Sequence, residues 1–447
     1  MVEYLFQNQI KLYVNLLANK YLDMPTTIKQ RSNIATSKDR PLKIYIHDFS
    51  GHPFQIQLSR ELASRGFIVT HAYCKDIVGA KGNLKTSSLD SPSLLIVGLT
   101  IGKDINRYNF FQRLIDERHY GRVLAKHVSE SNPDIVIASN TPLDSFTQLT
   151  KHCKNNAIPI IFWLQDILGL ATYSVLNQKF GPLGALVGKY YIHKEKKLLN
   201  SSSHIVPIST DFVKTLTDWK IPRNSISVIE NWAPLNEIPQ CERTNAWSIQ
   251  QNWSGRPVAL YSGALGLKHN PSLLLELAIF LDNNLPEARL IVISEGHGAD
   301  WLKQQNSRLN LKSLVQLPFQ PFEDLPKILA SANILLAILE PEAGEFCVPS
   351  KILSYMCTGR PIVYAAPEQN LASRLIIQNQ AGLVVPPSDF KKFADTVSHL
   401  LKDTNLQAKM GNNARTYAER TFNIIHIGDK FEKIIRSTSR DLEWEQK

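Results

Sequence analysis

The 447-residue chain has few cysteines and no long apolar run. Its five cysteines are odd in number, and no two of them lie closer than ten positions. This spacing argues against a disulfide framework and a C-x-x-C metal knuckle, and it favours the reducing cytoplasm. No apolar run approaches the ~18 residues of a spanning helix, and the start lacks the basic region of a secretory signal. No Asp-x-Asp triplet or metal-spaced His and acid cluster occurs, so we expect metal-independent chemistry.

The chain also lacks a strong charge of either sign. Lys plus Arg number 50 against 40 Asp plus Glu, which gives a net charge of +10. This moderate excess suits an anionic ligand, a nucleic acid or an anionic membrane face. We expect no nucleic-acid partner, because no recognition helix, aromatic platform or zinc spacing is present. A hydrophobic content of 43% excludes a disordered chain.

The pattern along the chain predicts five segments. Residues 1–42 form an appendage, an amphipathic helix plus polar linker that packs on the domain or lies on a membrane. Residues 43–230 and 257–421 each alternate short apolar strands with helices, separated by an aperiodic linker at 231–256. Residues 422–447 form a helix that returns to the first lobe, and a charged tail. This alternation predicts an α/β protein with two doubly wound parallel-sheet, Rossmann-like lobes and an interdomain cleft.

One motif connects a predicted strand to a helix through a glycine-rich loop. Tyr261–Ser262–Gly263 leads through Gly266 to Lys268 and a helix start near Pro271. Backbone donors, a helix N-terminus and a lysine together suit a diphosphate. The motif is neither the Gly-x-Gly-x-x-Gly fingerprint nor a P-loop, which disfavours a nicotinamide or flavin cofactor. The alternative is a tight turn with a solvated lysine.

A second motif joins an acidic loop to a helix start. The loop contains Glu342 and Glu345, and a helix is predicted from Ser350 to Gly359. Carboxylates at a cleft suit sugar hydroxyls, because each accepts two hydrogen bonds. The donors of the helix start suit a phosphate, or Ser350 caps them. The alternative is a solvated acidic loop.

Together these stretches resemble the retaining glycosyltransferases of family four, which have the two-lobed GT-B fold. The bacterial exopolysaccharide enzymes of the colanic-acid type are the most similar. The resemblance covers residues 43–435, and its motifs are Tyr261–Lys268, Ser294–Gly296, Val348–Pro361 and Val228–Trp232. It implies a nucleotide-diphosphate-sugar donor, no resident cofactor, and a lipid-linked or other saccharide acceptor in extracellular or capsular polysaccharide biosynthesis.

The resemblance also implies roles for particular residues. Lys268 would neutralise the diphosphate, Glu345 or Glu342 would hold the sugar, and Asp166 would face the acceptor as a catalytic base. The expected catalytic residues are thus Asp166, Lys268 and Glu345. The expected substrate-binding residues are Gly51, His52, Gly263, Glu295, Gly296, Phe319, Glu342, Ser350, Lys351 and Ser354.

The sequence departs from the family at two positions. The family's two glutamates, separated by seven residues, fall at Phe346 and Ser354, and neither is acidic here. Ser354 would then serve the ribose. This departure leaves open a non-catalytic binding partner of a polysaccharide assembly complex. A nucleotide-sugar epimerase is a further alternative with this fold.

The first-lobe residues have simpler alternatives. Asp166 follows a predicted strand and would otherwise cap the next helix. The loop with Gly51 and His52 lies where the family admits acceptor and diphosphate, although its histidines could equally be packed. An apolar run at 182–192 suits an anionic bilayer face, or is a solvated helix. Five lysines surround this run: Lys179, Lys189, Lys194, Lys196 and Lys197.

Overall fold

The computed structural model describes residues 40–77, 81–105, 110–266, 269–341 and 350–445. They form two six-stranded parallel sheets with orders β3-β2-β1-β4-β5-β6 and β9-β8-β7-β10-β11-β12. The first sheet consists of β1 (Lys43–Asp48), β2 (Ile68–Cys74), β3 (Leu94–Leu99), β4 (Ile135–Ser139), β5 (Ile160–Leu164) and β6 (His204–Pro207). The second consists of β7 (Val258–Ser262), β8 (Arg289–Ile293), β9 (Leu314–Leu317), β10 (Ile334–Ile338), β11 (Ile362–Ala365) and β12 (Gly382–Val385). The predicted fold class is confirmed.

Helices cover both faces of each sheet. Those of the first lobe are α1 (Pro53–Ser64), α2 (Phe110–Ser131), α3 (Leu143–Asn155), α4 (Leu168–Asn200) and α5 (Asp211–Asp218). The remaining helices are α6 (Ala246–Gln250), α7 (Pro271–Asn284), α8 (His297–Leu309), α9 (Leu325–Ala330), α10 (Ser350–Cys357), α11 (Leu371–Gln378), α12 (Phe390–Lys402), α13 (Thr404–Thr421) and α14 (Ile424–Glu445). Every residue of β4, β5 and β10 is buried, as expected for parallel strands covered on both faces.

Each sheet reverses its strand order at one point, beside β1 in the first lobe and beside β7 in the second. β1 pairs in parallel with both β2 and β4, and β7 pairs with both β8 and β10. Ligands of doubly wound sheets bind outside the carboxyl ends of the strands at such a point. We call these two regions the first edge and the second edge.

Helix α14 packs on the first lobe. The Arg65 guanidinium on α1 contacts the carboxylates of Asp429 and Glu432 at 2.7 and 3.0 Å. The Phe431 ring lies 4.8 Å from the Trp163 ring of β5. The chain thus crosses back after completing the second sheet, which connects the two lobes a second time.

Two predicted features differ in the structure. The alternating residues Ile226–Ile229 predict a further short strand, but they form only one bridge, from Ile226 to Ile205. The predicted linker at 231–256 contains helix α6, because Asn245 and Ser248 form a reciprocal capping box at its start. The Asn245 amide also donates to the Lys327 carbonyl on α9 at 3.0 Å. The end of the linker therefore belongs structurally to the second lobe.

Helix α4 is a hairpin of two packed arms rather than one rod. Its break is at Gly181, which has φ +56° and precedes Pro182. The arms approach closely at glycines: an added Cβ at Gly184 would lie 1.9 Å from the Leu176 carbonyl oxygen, and one at Gly188 would lie 2.5 Å from Tyr173 Cα. We call residues 168–200 the hairpin. The amphipathic helix predicted within residues 1–42 lies outside the described residues.

Candidate active site

The second edge places an ammonium group at the carboxyl end of β7. The Lys351 Nζ of α10 lies 3.9 Å from the centroid of the Tyr261 ring, which is a cation–π contact. A Cβ added to Gly263 would lie 2.7 Å from this Nζ. Gly263 has φ +134°, a region that favours glycine. The loop therefore needs glycine both for its backbone shape and for the space that Lys351 occupies.

The Gly263 amide does not have its expected role as a phosphate donor. Its N–H already donates to the Ile293 carbonyl of β8 at 3.0 Å, because the chain keeps a sheet-like bond for one residue after β7 ends. The contribution of Gly263 to the site is instead the room that it leaves for Lys351.

Two buried tyrosines fix the position of α10 against β7. The Tyr355 hydroxyl accepts a hydrogen bond from the Ser262 N–H and donates to the Ser262 carbonyl, both at 3.0 Å. The Tyr261 hydroxyl donates to the Ala264 carbonyl at 3.0 Å. Burial raises the pKa of both phenols well above the usual range, so both stay neutral. Lys351 lies one helical turn before Tyr355, and these bonds therefore set its position.

Three expected substrate-binding residues meet beside this site. The Glu295 carboxylate accepts the Phe319 backbone N–H at 3.2 Å, which joins the loops after β8 and β9. Gly296, with φ +106°, precedes the first residue of α8. Glu295 and Gly296 are exposed, and Phe319 is half-buried. Their loops form the outer wall of the second edge.

Only some of the other residues expected at the second edge are among the described residues. Lys268, Glu342 and Glu345 lie outside the described residues, and so does Phe346. Helix α10 begins at the exposed Ser350, and Ser354 is half-buried on the following turn.

The first edge is organised around one buried carboxylate. Asp48, at the end of β1, accepts the backbone N–H groups of Ser50, at 3.1 Å, and of His52. With its amide oriented to satisfy both ends, Gln55 also donates to Asp48. Burial by itself would raise the pKa of Asp48, but the hydrogen bonds and charge of His52 outweigh it and hold this pKa below its usual value. Asp48 is therefore a structural anion that shapes the loop.

In that loop, one expected substrate-binding residue is buried and another is half-buried. Gly51 has φ +75°, its carbonyl accepts the Gly82 N–H at 2.8 Å, and an added Cβ would lie 2.9 Å from Leu84 Cδ1. The segment with Leu84 thus covers Gly51 on the side of its missing side chain, and a contact of Gly51 with substrate stays a prediction. His52 is half-buried, and its Nδ1 lies 3.1 Å from the Asn140 amide nitrogen.

His47 is a packed core residue. Its Nδ1 lies 2.7 Å from the Thr141 hydroxyl, and its Nε2 lies 3.0 Å from the Tyr120 hydroxyl. Burial lowers the pKa of His47 to about 3, although the nearby Asp48 charge opposes the shift. His47 therefore stays neutral and supports the loop from beneath.

Asp166 lies half-buried in the loop between β5 and the hairpin. The alternative that Asp166 caps the helix is wrong, because the N-cap position is Ile167. The Glu195 carboxylate, on the second arm of the hairpin, accepts the N–H groups of Leu168 and Gly169 instead, at 3.0 and 2.7 Å. Sequence reasoning missed Glu195, because its partners lie 26 and 27 residues away and leave no local pattern.

The hairpin lysines are not equivalent. The Lys194 Nζ lies 2.8 Å from a carboxylate oxygen of the buried Asp144, and its side chain is only 10% exposed. Lys194 therefore stabilises the fold, and the expectation that it contacts a membrane is wrong. Three other lysines of the hairpin lie at the surface, and three of its apolar side chains are also exposed. The lysines are Lys179, Lys189 and Lys197, and the apolar residues are Val175, Leu183 and Leu186.

The described residues include neither a metal-binding cluster nor a membrane-spanning helix. No group of three or more His, Cys, Asp or Glu side chains there is arranged to hold a metal ion. No described helix combines the length and apolar character needed to cross a membrane.

Comparison with known proteins identifies the class of the second lobe. Residues 244–417 match the family model described as "Glycosyl transferases group 1". This match includes α6, the Gly263 loop, α8 and α10. The predicted glycosyltransferase resemblance is thereby confirmed, and it is the second lobe that matches this family.

Individual relatives agree with this class. The chain is 26% identical over 182 residues to the alpha-D-kanosaminyltransferase of Streptomyces kanamyceticus, covering 40% of this chain and 46% of that protein. It is 21% identical over 249 residues to the putative colanic acid biosynthesis glycosyl transferase WcaI of Escherichia coli, covering 54% and 59%. The chain thus spans about half the length of these two relatives.

The two-lobed arrangement resembles that of a solved protein. The structure of HepE of Anabaena in complex with UDP and glucose has a TM-score of 0.66 and 17% identity, and the match covers 89% of this chain and 100% of that one. At this identity the likeness concerns the fold. The chain thus has the fold of GT-B glycosyltransferases.

Proposed function

We propose that this protein transfers a sugar from a nucleotide-diphosphate-sugar donor to a saccharide acceptor. One observation carries the proposal: the second lobe matches a glycosyltransferase family and holds the Lys351 ammonium against Gly263 at the carboxyl end of β7. A fixed positive charge at this position suits the diphosphate of a donor. The UDP complex of HepE supports a nucleotide donor of this kind.

In this proposal the transfer is retaining and metal-independent, and no resident cofactor takes part. As the sugar–phosphate bond loosens, negative charge grows on the leaving diphosphate, and preorganised cations stabilise it most at that moment. Lys351 supplies one such charge, and Lys268 supplies the second. Glu345 or Glu342 would hold the sugar hydroxyls, and Ser354 would serve the ribose.

The acceptor would bind at the first edge. Asp166 and His52 lie on loops that follow β5 and β1, at the carboxyl ends where ligands of doubly wound sheets bind. We infer that the acceptor is held on a lipid carrier. The protein would act in the cytoplasm, in the biosynthesis of an extracellular or capsular polysaccharide. The similarity to a protein named for colanic acid biosynthesis supports this role.

The hairpin is the proposed contact with the cytoplasmic membrane face. Leu183 and Leu186 are 36% and 51% exposed near Lys179 and Lys189, a mixture that suits an anionic bilayer. Replacing both leucines by serine should reduce co-sedimentation with phosphatidylglycerol vesicles. The control is Leu309→Ser, because this second-lobe leucine is 49% exposed on α8. Equal sedimentation of both variants would exclude the hairpin as the contact.

Release of nucleotide from labelled donor sugars, with membranes as the acceptor source, tests the proposed activity. Lys268→Ala and Lys351→Met should each lower turnover by more than about tenfold, since each removes a charge that stabilises the leaving group. Lys391→Ala, an exposed lysine on α12, is the matched control. Turnover at the wild-type rate in both variants would refute the assigned roles.

A second candidate is a non-catalytic partner in a polysaccharide assembly complex. The observation behind it is Ser354, which stands on α10 where the family has a carboxylate. In that case nucleoside diphosphates would still bind, and thermal shift would detect them, but no donor would be turned over.

A further inference from the structure

The loop that carries Asp166 is held at both of its ends. We call residues 165–169 the acceptor loop. At its start, the Gln165 side-chain oxygen accepts a hydrogen bond from the Asn231 amide at 2.6 Å. At its end, Glu195 accepts the N–H groups of Leu168 and Gly169. Asp166 therefore lies between two fixed points that are only a few residues apart.

Glu195 satisfies the first N–H groups of helix α4 from a distant part of the sequence, which is unusual. A Ser, Thr, Asp or Asn at the N-cap would satisfy such amides locally, but Ile167 occupies that position. Glu195 instead reaches across from the other arm, and its side chain is fully buried. Burying a carboxyl group costs free energy in either protonation state, and more when it is charged. The arrangement costs more free energy than a local cap would. Its distinct result is a direct link between the second arm of the hairpin and the acceptor loop.

The contact between the two arms leaves no spare room. An added Cβ at Gly169 would lie 2.8 Å from the Glu195 Oε2 and 2.8 Å from the Ile192 Cα. A side chain at position 169 would therefore push the carboxylate and the arm away from the loop. The close fit makes the position of the loop depend on Glu195.

We propose that Glu195 is a positioning residue for the transfer step: it fixes the backbone of the acceptor loop so that Asp166 faces the acceptor. This inference rests on the proposed function. Glu195 acts through Asp166 and is buried away from the reacting atoms. Its removal should therefore impair the transfer step and spare the donor site, which lies on the other lobe.

Kinetics separate this role from simple stabilisation. Glu195→Gln keeps one acceptor oxygen and faces the second amide with an N–H group. We expect kcat for transfer to fall about tenfold, because a displaced reacting group loses its alignment, while the KM for the donor stays within about twofold. Gly169→Ala should show the same pattern. The control is Glu117→Gln, a buried glutamate of α2 that pairs with Arg113 at 2.6 Å and should leave kcat unchanged.

Hydrogen exchange tests the clamp without relying on activity. The amides of residues 168 and 169 should exchange at least about tenfold faster in Glu195→Gln than in wild type or in Glu117→Gln. A wild type that turns over no donor would defeat the proposed function, while faster exchange would still support the clamp. If the wild type is active and Glu195→Gln has the same kcat, the positioning role of Glu195 is wrong, while the proposed function stands. Unchanged exchange would overturn the positioning role as well.

Discussion

The first and second edges lie at equivalent places in two sheets of the same strand order, yet they handle charge in opposite ways. At the first edge, Asp48 and Glu195 are fully buried. Asp48 accepts backbone N–H groups of its own loop, and Glu195 accepts those of Leu168 and Gly169 from the opposite arm of the hairpin. At the second edge, the Lys351 ammonium faces a glycine and an aromatic ring, and Glu295 and Gly296 are exposed. The first edge uses buried carboxyl groups to hold backbone segments, whereas the second edge keeps a buried ammonium behind an exposed rim of Glu295 and Gly296.

This difference matches two kinds of ligand. A rigid, internally hydrogen-bonded edge keeps a fixed shape, which suits neutral hydroxyl groups that must be oriented. An ammonium set at a glycine-rich turn attracts a diphosphate. One sheet topology can therefore supply an acceptor side and a donor side by changing only the loops at the strand ends.

The largest expected effect comes from filling the space beside Lys351. Gly263→Ala should weaken nucleoside-diphosphate binding by about a hundredfold, since it strains a backbone at positive φ and displaces the ammonium. Isothermal titration of UDP and related diphosphates measures it.

The matched control is Gly255→Ala. Gly255 has φ +93°, and no atom lies within 4 Å of an added Cβ, so this variant carries backbone strain alone. If both variants bind equally well, the space for Lys351 has no role in binding and the contrast between the edges is lost.

The next effect concerns the anion of the first edge. Asp48→Asn should lower the free energy of unfolding by about 2–4 kcal/mol, because an N–H₂ group replaces an acceptor that backbone donors face in a buried site. Urea denaturation measures it. Asp218→Asn, at a surface pair with Lys214, should leave the midpoint unchanged, and a similar midpoint for both variants would show that Asp48 is not a structural anion.

A third prediction uses the pH dependence of the same edge. Burial raises the pKa of Glu195 from 4.5 to about 8; the two amides oppose this rise and the Asp166 charge adds to it. Between these values the folded protein holds a proton that the unfolded chain has released, so stability falls as pH rises. This contribution is complete below about pH 4.5 and is lost as pH passes about 8.

Glu195→Gln should flatten this decline. Melting temperatures of wild type and variant, measured from pH 5 to 9, provide the comparison, with Glu117→Gln as the reference for a buried glutamate elsewhere. Parallel curves for wild type and Glu195→Gln would mean that the carboxyl does not titrate in this range.

The sequence predicted the sheets better than it predicted the edges. Uninterrupted apolar runs such as Leu290–Ile293 coincide with strands, because burial on both faces leaves a local pattern. Asp48 also has a local signal, since Asp, Ser and Gly within the four residues 48–51 are typical of a turn. Glu195 and the Gln165–Asn231 pair have none, because their partners meet only after the chain has folded.

Gly263 has a clear sequence motif, yet its role in the site still depends on tertiary contacts. Its motif predicted a phosphate loop, but only the folded structure reveals that its amide belongs to the sheet and that its missing side chain makes room for Lys351. Residue type and spacing indicate where a ligand binds, whereas tertiary contacts decide which atoms remain available to it.

The smallest effect concerns an ion pair that joins the lobes directly. Arg374 on α11 contacts the Asp211 carboxylate on α5, and the two side chains are 35% and 51% exposed. Asp211→Ala should change the free energy of unfolding by less than about 1 kcal/mol, because solvent screens such pairs. Its effect should appear in the spacing of the lobes, as a larger radius of gyration by small-angle scattering.

The reciprocal variants make this test specific to the pair. Arg374→Ala should have the same effect, and the double variant should add nothing further, since the single contact is already lost. Exchanging the two residues, Asp211→Arg with Arg374→Asp, should restore the wild-type radius. Nucleoside-diphosphate affinity should stay unchanged throughout, because Lys351 and Gly263 lie on the second lobe alone; a coupled loss of affinity would show that the two edges do not act separately.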